Sequence, residues 1–176
     1  VPTAARVPIN SLRSKSNALP GHQKEVLLCI ITVKSLTILL VGANDHRLAL
    51  FENIHPLYHG VSYNAYVLLD EKTVLFDTAD WSVGRQFIDN VKAVLGGRPL
   101  DYLVITVEPD HAASIEEILL RWPQVRIVTS PKAVILLHQF GFPIDAGQVE
   151  EVQEGDSKCF GRHTIAFVSA PMVHWP

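Results

Sequence analysis

The sequence predicts an α/β fold, with a mixed β-sheet and helices packed outside it. Three observations carry that prediction. From residue 82 onward, helix-length segments alternate with short apolar, β-branched runs, the order of a sheet wound by crossover helices. Ahead of them lie two apolar runs joined by a tight polar turn, the mark of a β-hairpin. The composition, 48% hydrophobic and 19% charged, is that of a packed globular chain rather than a disordered one.

The elements follow in order. "LTILLVG" from residue 36 reads as a strand. "SYNAYVLLD" and "KTVLFDTAD" read as two strands joined at "DEK". "SVGRQFIDNVKAVLGG" sets Phe87, Val91, Val94 and Leu95 on one helical face and stops on Gly96 and Gly97. "LDYLVITV" is a continuous apolar run, the pattern of a strand buried on both faces. "AASIEEILLRW" is a short helix with Ile115, Ile118 and Leu119 turned inward, and "VRIVT" is another strand. "SPKAVILLHQFG" has Ser130 as N-cap, Pro131 at the first helical position and Gly141 as its stop. "HTIAFVSAP" is a last strand.

Bulk properties bound the rest. The 176 residues suit one domain, and a net charge of -3 gives no electrostatic case for nucleic acid or an anionic membrane. Cys29 and Cys159 form no CxxC pair, so a reducing, cytoplasmic compartment is the expectation. Lys34 and Ser35 break the apolar stretch Glu25 to Gly42 into pieces far short of the ~20 residues that span a bilayer. Residues 1–35 read as a leader without periodicity. Arg6, Arg13, Lys15 and Lys24 precede the first acid, Glu25, a composition that an organelle-targeting segment shares. The chain starts at Val1, has Met172 as its one methionine and stops at "HWP", so it reads as a piece of something longer.

Chemistry gathers at predicted strand ends, where α/β folds bind ligands. "TVEPDH" ends the most apolar strand and puts Glu108, Asp110 and His111 on a turn at Pro109. The cluster is either one edge of a metal site or a helix N-terminus capped by Asp110. "PMVHWP" ends a second apolar run with His174, and a second strand-end histidine favours the metal reading. "LFDTAD" puts Asp77 and Asp80 at a third strand end. There Asp77 either orients a ligand imidazole by a hydrogen bond or caps a turn. His55 and His59 are spaced for a helix that Pro56 disfavours. His22, His46, His138 and His163 have no ligand-like neighbours in sequence. No phosphate-binding GxxxxGK[ST] and no GxSxG nucleophile elbow is present.

The stretches "GVSYNAYVL", "VLFDT", "LGGRPLDYLV", "EPDH" and "PMVHWP", in this order between Val41 and Pro176, resemble the N-terminal half of the metallo-β-lactamase-like domain of flavodiiron proteins, also called A-type flavoproteins. The resemblance implies an αββα sandwich of which only the first half to two-thirds is present, in residues 36–176. It implies a non-haem di-iron centre that reduces dioxygen to water or nitric oxide to nitrous oxide. It also implies FMN in a flavodoxin-like domain absent from these residues, a head-to-tail homodimer, and rubredoxin or another electron donor. By position Glu108 and His174 would bind one iron, Asp110 and His111 the other, with Asp77 behind them.

Thr106 departs from the family pattern. Zinc hydrolases of this superfamily carry H-x-H-x-D-H and flavodiiron proteins H-x-E-x-D-H, so a histidine is expected two residues before Glu108. The chain also has one residue fewer before the motif, "HAAS" stands for the common "HSGS", and the downstream ligands lie beyond Pro176. The chain by itself is therefore expected to bind metal weakly and to have little or no reductase activity. Two other readings stand beside this one: a zinc hydrolase of the same fold, and a non-catalytic remnant.

Overall fold

The computed structural model describes residues 37–51, 53–106 and 108–169. The leader, most of the 25–42 apolar stretch and the "PMVHWP" segment with His174 lie outside them. The central element is a six-stranded sheet. Its strands are β1 (Ile38–Leu40), β6 (Tyr66–Leu69), β7 (Thr73–Phe76), β8 (Tyr102–Val104), β9 (Arg126–Thr129) and β10 (Val149–Glu151), in the order β1-β6-β7-β8-β9-β10. The pairs β1–β6 and β6–β7 are antiparallel, and from β7 to β10 all pairs are parallel. The sheet is mixed, as expected. Each parallel step needs a crossover. These are α1 (Gly84–Leu95), the pair α2 (Pro109–Ala112) and α3 (Ile115–Arg121), and α4 (Pro131–Gln139).

The helix stops read from sequence are the ones in place. Gly96 caps α1 in the left-handed conformation (φ 57°), and Ser130 Oγ accepts the Ala133 N–H at the start of α4 with Pro131 behind it. Phe87, Val91 and Leu95 are buried against the sheet and Val94 is half-buried, which is the apolar stripe of α1. Period-two alternation then assigns the sheet's faces. Val67, Leu75, Leu103 and Ile127 join the helices in the main core. Leu68, Val74, Phe76, Tyr102 and Val104 face the other way and pack on Phe160 and Ile165.

Phe160 and Ile165 come from a hairpin, β11 (Ser157–Cys159) with β12 (Thr164–Ala166). Here the reading of "LDYLVITV" needs correction. Leu103 is buried on the helical side, but Tyr102 and Val104 are only half-buried, because among the described residues one short hairpin is what lies over them. "HTIAFVSAP" likewise holds a three-residue strand, paired with a polar strand that its composition hides.

"SYNAYVLLD" is not one strand. It divides into β5 (Val61–Tyr63) and β6, and the run before it divides into β1 and β2 (Ala43–Asp45) at the same level, with β2 pairing β5 outside the main sheet. A further small pair, β3 (Leu50–Phe51) with β4 (His55–Pro56), fills the connection, so His55 sits on a strand and not a helix. The bend between β1 and β2 has a visible cause. Asn90 on α1 donates to both Val41 O (3.3 Å) and Gly42 O (3.0 Å), and the Val41 and Gly42 N–H groups both donate to Ala65 O. A Cβ on Gly42 would lie 1.9 Å from Tyr63 O, a backbone atom that cannot swing aside. Gly42→Ala is expected to cost about 1–3 kcal/mol in urea unfolding through overpacking; an unchanged midpoint would mean that this bend is set elsewhere. No helix of the described residues is long and apolar enough to cross a membrane.

Candidate metal centre

The carboxyl ends of β7 and β8 lie side by side, with Phe76 opposite Val104 in register. β7 runs one step further into Asp77, and β8 runs through the buried Ile105 to Thr106. Asp77 leaves β7 in the left-handed conformation (φ 57°), which a short carboxylate side chain tolerates better than most. Its N–H donates to Val104 O at 2.8 Å, so the turn stays tied to the neighbouring strand. From β8 the chain passes through Thr106 to Glu108, whose extended backbone precedes Pro109 at the first position of α2. Pro109 lacks an N–H and has a fixed φ, so it starts the helix at once. Asp110 and His111 therefore fall within the first turn, beside Glu108.

The three side chains meet. One ligand atom from each of Glu108, Asp110 and His111 lies within 4.8 Å of the others, and all three residues are half-buried. His111 Nε2 is 3.9 Å from Asp110 Oδ2. His111 Nδ1 is buried without a hydrogen-bond partner, and it is the one such side-chain atom among the described residues. The nitrogen beside a cluster carboxylate is Nε2, while Nδ1 is the one left without a partner. The capping alternative for Asp110 is not realised: α2 has no side-chain cap.

Other residues fix His111 without being its ligands. Thr78, fully buried, donates to the His111 carbonyl twice, from its N–H (2.8 Å) and its hydroxyl (2.6 Å). Ser114 N–H donates back to Thr78 Oγ1 at 3.3 Å, and Ser114 Oγ donates to Ala79 O at 2.7 Å. Tyr63 on β5 sets its ring edge-on to the imidazole, centroids 6.1 Å apart at 72°. Burial and then the nearby carboxylates of Asp80, Asp110 and Asp45 push the Tyr63 hydroxyl up to about 12, so it keeps its proton at neutral pH. Sequence reasoning missed Thr78, Ser114 and Tyr63 as site residues. Only the adjacency of Thr78 to Asp77 pointed their way.

Asp77 meets Thr106 rather than an imidazole. Its Oδ1 accepts both the Thr106 N–H (2.8 Å) and the Thr106 hydroxyl (2.9 Å). Burial raises the Asp77 carboxyl, opposed by these two bonds and by His111, while the Glu108 charge pushes the same way as burial. Asp80 instead caps the turn that follows, accepting from Ser82 N–H at 2.8 Å. His46 Nδ1 pairs with His59 O (3.1 Å), away from the cluster in sequence and hydrogen bonding. The donor set of two carboxylates and one imidazole suits a borderline or hard divalent ion such as iron or manganese.

No protein-family model matches the chain. It is similar to the anaerobic nitric oxide reductase flavorubredoxin of Klebsiella pneumoniae, 32% identical over 155 residues that make up 83% of this chain and 30% of that one. It is similar to the flavo-diiron protein FprA2 of Clostridium acetobutylicum, 30% identical over 138 residues, 77% of this chain and 34% of the relative. The solved rubredoxin oxygen:oxidoreductase of Desulfovibrio gigas superposes with a TM-score of 0.76 at 30% identity, covering 82% of this chain and 36% of that chain. The chain thus spans about a third of the length of these relatives.

Proposed function

We propose a function on the premise that the chain belongs to the flavodiiron protein family, whose metallo-β-lactamase-like domain it forms in part. It is the iron-holding portion of an oxidoreductase that reduces nitric oxide or dioxygen. The observation that supports this best is the Glu108, Asp110 and His111 cluster, with one ligand atom of each within 4.8 Å of the others. Those three residues would hold iron, with His174 as a further ligand from outside the described residues. Iron bound there would supply one-electron chemistry, which carboxylate and imidazole groups lack.

The remaining groups bind, orient and exclude. Thr78 fixes the backbone of His111 through its carbonyl, and the Tyr63 ring limits how far the imidazole can turn. Glu108 and Asp110 supply the negative charge that draws a cation to the strand ends. The Tyr63 hydroxyl stays protonated and neutral beside the cluster. Asp77 stands behind the cluster and holds Thr106 rather than an imidazole. On this reading FMN and its flavodoxin-like domain lie outside residues 1–176, a rubredoxin-type protein donates electrons, and two copies pair head to tail. The cytoplasm is the compartment that fits, in keeping with Cys159, exposed and unpaired. The zinc-hydrolase reading is not favoured, since the relatives are flavodiiron proteins.

Anaerobic addition of ferrous iron to the metal-free chain tests the proposal. Binding only to the folded state should raise the thermal midpoint in step with ligand excess. His111→Ala should weaken binding by about a hundredfold or more, since even outer-shell losses cost 10–100-fold. An equal midpoint shift in wild type and His111→Ala would refute the assignment.

A further inference from the structure

We infer that Glu108, Asp110 and His111 form a site for a single divalent cation, and that the Asp77–Thr106 pair closes the place where a second would be held. The inference rests on the metal-binding reading above and departs from the two-iron expectation. Ligand oxygens and nitrogens sit about 2.0–2.2 Å from such an ion, so donors on one ion are at most about 4.4 Å apart. Three donors already within 4.8 Å of one another need only a slight closure to share one ion. A pair of ions held about 3.5–4 Å apart needs donors on both sides and a group between them.

The strand end that would supply the second side is β8, at Thr106. Its hydroxyl is a neutral and weak ligand, and here it is directed into Asp77. Asp77 is a further carboxylate at these strand ends, and its Oδ1 is taken by two Thr106 donors at 2.8 and 2.9 Å. The carboxylate suited to orienting an imidazole at position 106 is therefore satisfied by the residue that stands in the imidazole's place. A second ion would have to break both bonds and would still gain no nitrogen donor from position 106.

Equilibrium dialysis of the full 176-residue chain against ferrous iron under anaerobic conditions, and separately against zinc, with bound metal counted by mass spectrometry, tests this. The expected result is one ion per chain. Thr106→Val should leave the count at one, and Thr106→His should raise it toward two. Circular dichroism on each variant excludes loss of fold as the cause of a low count. Two ions per unaltered chain would overturn the inference and leave the proposed function standing. No bound ion on the folded chain would overturn both. A Thr106→His count that stays at one would refute the role given to the Asp77–Thr106 pair.

Discussion

Phe87→Ala should remove about 3–5 kcal/mol from the stability of the chain, the range measured for deleting a buried aromatic side chain. A domain of this kind has about 5–15 kcal/mol in all, so the variant is expected to lose a large share of its stability. The size of the effect follows from position. Phe87 is fully buried, among the largest side chains that are, and sits in the α1 stripe over the sheet face formed by Val67, Leu75 and Leu103. The main core lies on this one face, so no neighbouring cluster can collapse into the gap from behind. Phe87→Leu, which keeps most of the volume, should cost less than half as much. Urea unfolding followed by circular dichroism measures both. If Phe87→Ala costs under about 1 kcal/mol, the packing of α1 on the sheet is not what holds this half of the molecule.

The parts of this structure legible in the sequence are those whose signal is local. The helices α1, α3 and α4 announce themselves by apolar spacing and by stops such as Gly96 and the Ser130–Pro131 start. Glu108, Asp110 and His111 are legible as a cluster because Pro109 folds neighbours in sequence into neighbours in space. The strands β10 and β11 are not legible, because "VEE" and "SKC" are three residues long and mostly polar, and only their partners make them strands. The division of "SYNAYVLLD" is hidden for a related reason. Alternation continues through Asn64 and Ala65 while the pairing partner changes from β2 to β1. The groups that hold His111 stay hidden too, since Thr78 and Ser114 reach across 33 and 36 residues. Thr106 is the instructive case. Sequence marks it as a missing ligand, but only the structure puts it on Asp77.

The Asp70–His163 pair should give the fold a sharp acid limit. It spans 93 residues and joins the β6–β7 turn to the β11–β12 hairpin. Asp70 Oδ2 accepts from the His163 N–H (2.9 Å) and lies 2.5 Å from His163 Nδ1, while Oδ1 accepts from the Glu71 N–H (2.8 Å). Arg162 Nε stands 3.7 Å away, and Arg98 donates to the Asp70 carbonyl. The Asp70 side chain is 1% exposed, and Gly161 (φ 130°) allows the approach, since a Cβ there would lie 2.6 Å from Oδ1. The His163 bond, then the amides of Arg162, Glu71 and His163, hold the Asp70 carboxyl well below the usual carboxylate range against the opposing effect of burial. A carboxyl depressed in the folded state stabilises the fold fully above its unfolded value near 3.9, and that contribution is lost as pH falls through the folded value. Stability should therefore decline from about pH 4 downward. Asp45, held at about 2 first by its side-chain bond to Arg47, acts in the same window, so the difference between wild type and Asp70→Asn is the informative quantity. Asp70→Asn should lower the thermal midpoint at pH 7 by roughly 5 °C or more, because it strips a buried partner from His163. It should also flatten the acid slope. Parallel pH profiles in the two proteins would show that the hairpin is held to the sheet by the Phe160 and Ile165 contacts alone, with the Asp70–His163 hydrogen bonds adding nothing.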